Sequence, residues 1–146
     1  VHTANLGTQI FYTAHGPFDT HFNQPPMHTR LWGEVSGAIT DFFDDLREHD
    51  ASDNVVMMIF TEFGRRVRDN GTGTDHGAGG GAFIIGDMVK GGMYGTYPSL
   101  APEDLNQGDL DPNYDFRGFY SSVVDQWLGL DPVPIVGGKF EQIQFV

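Results

Sequence analysis

Acidic and imidazole side chains stand at three places in this chain where they could bind a divalent metal. Asp19-Thr20-His21 places a carboxylate two residues from an imidazole, Glu62 follows an apolar run, and Asp75-His76 lies in a glycine-rich segment. Zinc and related metals accept mixtures of carboxylate and imidazole ligands. Each pattern also has a structural interpretation. An Asp-X-His triplet commonly forms a turn or a surface pair, Glu62 can cap a helix or pair with an arginine, and His76 can be an ordinary exposed histidine.

Two arginines directly after Gly64 could bind an anion. Arg65 and Arg66 carry planar guanidinium groups, which recognise phosphate or sulfate through paired hydrogen bonds. Charge pairing within an acidic protein is the alternative, and we expect it for one of the two. The sequence contains no Gly-X-Ser-X-Gly elbow and no phosphate-binding glycine-lysine loop. An attacking hydroxyl is therefore expected outside these residues.

A run of alternating oxygen-bearing side chains in the last third of the chain is similar to a calcium loop. It consists of Asp109, Asp111, Asn113 and Asp115. The EF-hand pattern fails, because glycine is absent at the sixth position and Tyr120 stands where the bidentate glutamate belongs. An acidic, turn-rich loop is the favoured interpretation, with calcium-dependent attachment as the weaker one.

The composition excludes several classes of protein. The 146 residues fit one domain, and the formal charge of −12 argues against nucleic-acid partners, whose phosphates would be repelled. The absence of cysteine excludes disulfides and thiolate metal sites. No apolar run is long enough to span a membrane. The chain opens at Val1 rather than at methionine, so we expect a processed or truncated product.

The hydrophobic pattern predicts an α/β protein with a largely parallel sheet flanked by helices. Strands are predicted at residues 9–14, 55–60 and 82–86, and helices at residues 29–48 and 119–128, with Gly129 capping the second helix. The strand–helix–strand order implies a right-handed crossover. Ligands bind at the carboxyl ends of such strands, where Asp19 and Glu62 are expected. A partial parallel sheet would expose an apolar edge, so we expect a second copy or an amino-terminal half to cover it.

Several stretches together resemble the bacterial family called domain of unknown function 1501. They are Phe18-Asp19-Thr20-His21-Phe22-Asn23-Gln24, Thr61-Glu62-Phe63-Gly64-Arg65-Arg66-Val67, Asn70-Gly71-Thr72-Gly73-Thr74-Asp75-His76-Gly77, Val89-Lys90-Gly91-Gly92-Met93-Tyr94-Gly95, Asp115-Phe116-Arg117-Gly118-Phe119-Tyr120 and Trp127-Leu128-Gly129. That family is similar to alkaline phosphatases and sulfatases, and many members carry a twin-arginine export signal. The resemblance implies that residues 1–146 are the carboxyl-terminal portion of an alkaline phosphatase-like domain, located in the periplasm or secreted.

The resemblance also implies roles for individual residues. Asp19 and His21 correspond to a first cluster of metal ligands and His76 to a final histidine ligand. Glu62 falls where the superfamily has the aspartate of an Asp-His pair, whereas Phe63 replaces the histidine and cannot bind metal.

Two hypotheses of function follow. The first is a zinc-dependent hydrolase of phosphate or sulfate esters, acting on an anionic small molecule or polysaccharide. In it Asp19, His21, Glu62 and His76 bind the metal, Arg65 binds the substrate's anionic oxygens and Asp75 orients His76. The second is a secreted binding or scaffolding domain with a degenerate, noncatalytic site.

Overall fold

The computed structural model describes residues 6–146, and these contain three α-helices and four short strands. The elements are, in chain order, α1 (Gln24–Glu48), β1 (Met57–Ile59), β2 (Gly64–Asp69), β3 (Thr74–Gly77), β4 (Phe83–Ile85), α2 (Phe116–Gln126) and α3 (Val133–Val136). Single 3-10 turns occur at Ser52–Asn54 and Pro102–Asp104. The chain divides into two compact units. The first contains the described residues up to Val55 together with Arg68–Asp75, and the second contains Val56–Val67 and His76–Val146.

The predicted parallel sheet flanked by helices is wrong. β1 pairs with β4 in antiparallel register, with Met57 opposite Ile85 and Ile59 opposite Phe83. β2 and β3 form a second two-stranded antiparallel sheet, and each sheet in residues 6–146 has only these two strands. A turn of four residues joins β2 to β3, and so short a connection can only join antiparallel strands. The partial alkaline phosphatase-like architecture expected for these residues is therefore not observed.

The apolar run at residues 55–60 contributes less strand than its composition suggests. Only Met57–Ile59 is a strand, its residues are half-buried, and the Phe60 side chain is 41% exposed. The pattern suggested burial on both faces of a parallel sheet, whereas a two-stranded ribbon covers neither face completely.

The predicted strand at residues 9–14 is absent. The backbone there has no regular structure, and Ile10 and Tyr12 are 71% and 79% exposed. Strand preference mainly reflects packing against a neighbouring strand. No strand of residues 6–146 pairs with this segment, so the expected strand–helix–strand crossover does not form.

The long helix α1 is confirmed, although it begins five residues earlier than predicted. Pro25 and Pro26 occupy its first turn, where proline's missing N–H costs nothing and its fixed φ suits a helix. Leu31, Phe43 and Leu46 are its buried side chains. The apolar residues of α1 that recur at three- and four-residue spacing are Leu31, Val35, Ala38, Ile39, Phe42 and Leu46, and of these only Leu31 and Leu46 are buried. No helix of residues 6–146 combines the length and the apolar character needed to cross a membrane.

In the second unit, α2 and the segment after it are held together by side-chain hydrogen bonds. Ser122 Oγ accepts a hydrogen bond from the Ile143 backbone N–H at 3.0 Å. Gln126 donates to the Ile143 carbonyl at 2.6 Å and accepts from the Phe145 N–H at 3.1 Å. Phe145 is fully buried. The side chains of α2 thus satisfy backbone groups of residues 141–146 that a neighbouring strand would otherwise pair.

Helix α2 starts at Phe116 rather than at Phe119 and ends at Gln126, with Trp127 and not the predicted Gly129 as its C-cap residue. Gly129 lies two residues further on with φ +65°. The Tyr114 hydroxyl donates to the Glu141 carbonyl at 2.6 Å, just before the helix begins. Burial raises the pKa of Tyr114 above its ordinary value. The phenol therefore stays protonated and able to donate this bond throughout the neutral range.

Candidate metal centre

The turn between β2 and β3 is built around the side chain of Asn70. Its Oδ1 accepts hydrogen bonds from the backbone N–H groups of Thr72, at 3.1 Å, and Gly73, at 2.9 Å. The Asn70 N–H also donates to the Gly73 carbonyl at 2.9 Å. Gly71 has φ +101°, a conformation that glycine adopts without steric cost. An Asn-Gly pair is a strong hairpin-turn signal, and here it closes the hairpin.

This turn lies against the segment that carries the predicted ligands Asp19 and His21. Gly73 is buried, and a Cβ added to it would lie 3.0 Å from both the His21 carbonyl oxygen and the Gln24 Cβ. Any larger residue at position 73 would therefore push the turn away from His21.

Gln24, the first residue of α1, connects the same two segments. Its backbone N–H donates to the Thr72 carbonyl at 3.0 Å, and its side chain accepts from Thr74 Oγ1 at 3.0 Å. The same side chain donates to Thr20 Oγ1 at 3.1 Å, and Thr20 is only 3% exposed. Residues 18–24 are therefore held in place by hydrogen bonds, although most of their side chains are exposed.

His21 stands between two carboxylates within the first unit. Its Nε2 lies 2.9 Å from Asp19 Oδ1, and its Nδ1 lies 3.2 Å from Asp75 Oδ1. The three side chains are between 45% and 59% exposed. The sequence places Asp75 more than fifty residues from His21, and the hairpin brings the two together.

The Asn70 side chain contacts both His21 and Asp75. Its Nδ2 lies 3.1 Å from Asp75 Oδ1 and 3.1 Å from the His21 carbonyl oxygen. Sequence reasoning assigned Asn70 no role at the site. An Asn-Gly dipeptide indicates a turn, but it does not reveal that the Asn70 amide contacts His21 in a distant segment.

The remaining predicted residues belong to the second unit. Phe63 and His76 stack face to face, with ring centroids 3.9 Å apart and planes 12° apart. The Arg65 guanidinium carbon lies 5.1 Å from the Phe63 ring centroid, which is cation–π geometry. Glu62 is exposed in the segment between β1 and β2. Phe63 stands where the resemblance expects a histidine ligand, and its ring packs against His76 and the Arg65 guanidinium.

A model of the family described as protein of unknown function (DUF1501) matches residues 2–131. The chain belongs to this family. No curated protein and no solved structure matches it.

Asp19 and His21 of this DUF1501 chain offer donor atoms of the kinds that zinc accepts. Two ligands of one tetrahedral zinc ion lie about 3.3 Å apart, and Asp19 Oδ1 and His21 Nε2 are separated by 2.9 Å. Asp75 at Nδ1 completes the arrangement found at many metal sites, in which a carboxylate accepts the second N–H of a metal-bound histidine. A neutral imidazole has one N–H, so without a metal it can donate to only one of its two carboxylate neighbours.

Asp75 was predicted to orient His76, and that role stays a prediction. The hydrogen-bond partners of Asp75 include His21 and Asn70. Asp19, His21 and Asp75 are brought together within the first unit, and Glu62, Arg65 and His76 belong to the second.

The acidic loop in the DUF1501 chain forms its own local contacts. Asp109 Oδ1 accepts from the Leu110 N–H at 2.9 Å, and the Asn106 side chain donates to Asp111 at 2.9 Å. Asp115 caps α2. These contacts agree with the turn-rich interpretation that the sequence favoured over a calcium loop.

Proposed function

We propose that this chain carries the metal-binding part of a divalent-metal-dependent hydrolase of phosphate or sulfate esters. The observation that supports it is the position of His21, with Asp19 at one ring nitrogen and Asp75 at the other. In the proposal Asp19 Oδ1 and His21 Nε2 bind the metal, with zinc as the first candidate. Asp75 holds the His21 ring in orientation through Nδ1.

Glu62 and His76 are the further ligands in this proposal. Their support is the resemblance to the domain of unknown function 1501 family, which is similar to alkaline phosphatases and sulfatases, in which acids and histidines from distant segments share a metal. His76 directly follows Asp75 in β3, so the residue that orients His21 and the proposed ligand are neighbours in sequence.

A bound metal would polarise the ester and stabilise the negative charge that develops on its oxygens. Arg65 is the proposed contact for the anionic oxygens of the substrate. Its backbone is fixed by paired hydrogen bonds with Gly79, at 2.7 and 2.8 Å, while its guanidinium lies over Phe63. A side chain held at its base and supported by an aromatic ring loses little freedom when it binds an anion.

The substrate class in this proposal is an anionic small-molecule or polysaccharide ester. The negative charge of the chain makes a local cation all the more necessary, because an anionic substrate would otherwise be repelled. By family resemblance we also propose a periplasmic or secreted location.

The second candidate function is a noncatalytic binding or scaffolding domain with a degenerate site. Phe63 favours it, because the resemblance leads one to expect a histidine at that position and the structure uses the phenyl ring for stacking on His76.

Zinc titration of the full-length protein, after dialysis against chelator, tests the proposal. We expect His21→Ala and Asp19→Ala to abolish tight binding and Asp75→Asn to weaken it about 10–100-fold, the usual effect of losing a partner of a ligating histidine. His76→Ala should also abolish tight binding. His49→Ala is the matched control, since His49 is an exposed histidine of α1's carboxyl end that contacts the Asp45 carbonyl.

Turnover of para-nitrophenyl phosphate and para-nitrophenyl sulfate separates the two candidates. Zinc binding with hydrolysis supports the hydrolase, and zinc binding without hydrolysis of any ester in a broader screen supports the noncatalytic domain. Undiminished zinc affinity in His21→Ala would overturn the proposed site.

A further inference from the structure

Asn70 contacts both the β2–β3 turn and the segment that carries His21. Its Oδ1 accepts the two N–H groups that close the β2–β3 turn, and its Nδ2 points to the His21 carbonyl and to Asp75. The Asn70 oxygen therefore closes the turn, while the Asn70 nitrogen contacts His21 and Asp75. Few side chains can do this, because only asparagine and glutamine carry a carbonyl acceptor and an NH₂ donor on one planar amide.

The contact with Asp75 restricts the carboxylate that faces the His21 ring. Asp75 Oδ1 lies 3.1 Å from Asn70 Nδ2 and 3.2 Å from His21 Nδ1, so one oxygen is shared between two donors. Asp75 is exposed, and the bond from Asn70 limits rotation of its side chain toward water. The contact with the His21 carbonyl restrains the backbone of the same histidine.

We propose that Asn70 is the positioning residue of the His21 site. It holds Asp75 against Nδ1 and fixes the His21 backbone to the turn, so that Nε2 stays directed at Asp19. The inference rests on the proposed metal-binding function of His21, but its geometric part can be examined in the metal-free protein.

A purely structural role for Asn70 predicts a different result. In that case its only contribution is the turn closed by Oδ1, and any residue that accepts the same N–H groups would leave His21 undisturbed. Serine is such a residue, because its hydroxyl oxygen can accept backbone N–H bonds in turns while being too short to reach Asp75 in the way the amide does.

The test is Asn70→Ser in the full-length protein, with Asn54→Ser as the matched control. Asn54 lies in the same unit, is exposed, and donates to Asp53. Two measurements are made: the ¹⁵N and ¹H signals of the His21 ring in metal-free protein, and the zinc affinity by titration. A thermal melt of each variant checks that it is folded, and Asn70→Asp is the second variant if Asn70→Ser does not fold.

We expect Asn70→Ser to shift the His21 ring signals and to weaken zinc binding about 10–100-fold, with Asn54→Ser like the wild type in both. Zinc affinity within about threefold of wild type overturns the inference, and so does weaker binding with unchanged ring signals. If the wild type binds no zinc, the proposed function fails. The ring signals then decide the inference alone: shifted signals support the positioning role, and unchanged signals overturn it.

Discussion

Two aspartates of this chain, Asp75 and Asp115, have different hydrogen-bonding roles. Asp75 contacts a histidine and an asparagine, whereas Asp115 caps a helix. Asp115 Oδ1 accepts from the Arg117 N–H at 2.9 Å and from Arg117 Nε at 3.0 Å, and Oδ2 lies 2.7 Å from Nη2. Hydrogen bonds from the Arg117 side chain and backbone lower the pKa of Asp115 below its ordinary value.

The lowered pKa of Asp115 predicts how the stability of the folded protein changes with pH. A carboxyl group with a lowered pKa in the folded state stabilises the protein above its unfolded pKa, 3.8 for Asp115, and the contribution is lost as the pH falls through the folded pKa. We therefore expect Asp115→Asn, which keeps a capping oxygen, to melt below wild type at pH 7 and by a smaller margin at pH 3. Asp115→Ala should melt lowest at both values, because it also loses the cap. Equal melting of wild type and Asp115→Asn at pH 7 would contradict the prediction.

The candidate site shows how far residue patterns lead. Residue type and the family resemblance together nominated Asp19 and His21 as metal ligands, and Asp75 was nominated to orient a histidine. The contact between Asp75 and His21 was not predictable, since the two residues are 54 positions apart in sequence and the hairpin brings them together. Asn70 was missed for the same reason: its role depends on a contact across 49 positions of sequence.

At the scale of elements, helices were predicted better than strands. Apolar residues recur at helical spacing within the 25 residues of α1, so this helix could be predicted from its own sequence without knowledge of its tertiary contacts. The strands at residues 9–14 and 55–60 were identified by apolar and β-branched content, which reports burial and leaves the pairing partner open. One of them is absent and the other pairs antiparallel with β4. Topology was therefore the part that composition could not supply.

Close packing between α2 and the segment after it gives an element-scale prediction. Gly118 is buried, and a Cβ there would clash with the Glu141 carbonyl oxygen and approach the Tyr114 ring. We expect Gly118→Ala to lower the free energy of unfolding by about 1–3 kcal/mol, the usual cost of overpacking, as measured by urea denaturation.

The control is the same substitution in α1. Gly37 lies in the helix interior and is exposed, and a Cβ there would meet nothing within 4 Å. Gly37→Ala should raise the free energy of unfolding by roughly 0.5–1 kcal/mol, because alanine loses less backbone entropy in a helix. The same sign for both substitutions would refute the packing argument.

At the scale of the whole molecule, exposed apolar side chains coexist with a large negative charge. Ile10, Phe11 and Tyr12 are between 58% and 79% exposed, and Phe22 is 73% exposed. The formal charge is −12. Apolar surface favours association between copies, whereas like charges oppose it over a distance that shrinks as salt is added.

We therefore expect the apparent mass to rise with ionic strength. Light scattering after size exclusion should show a larger species at about 0.5 M NaCl than at about 0.01 M, because the screening length falls from roughly 30 Å to a few ångströms. Replacing Ile10, Phe11 and Tyr12 by serine should remove the increase. Met93→Ser is the control, since Met93 is 93% exposed but far along the chain. A mass independent of salt, or an increase that persists in the triple variant, would contradict this prediction.

The Asn70-Gly71 dipeptide that closes the β2–β3 turn is also a site where asparagine can deamidate. In an Asn-Gly sequence the glycine nitrogen can attack the side-chain amide with little obstruction, because glycine has no Cβ. The reaction expels ammonia, and hydrolysis of the resulting ring leaves aspartate or isoaspartate. Each such event replaces the amide that donates to Asp75 by a negatively charged group. Samples aged in alkaline buffer would thus become a mixture in which a growing fraction has lost the support of His21.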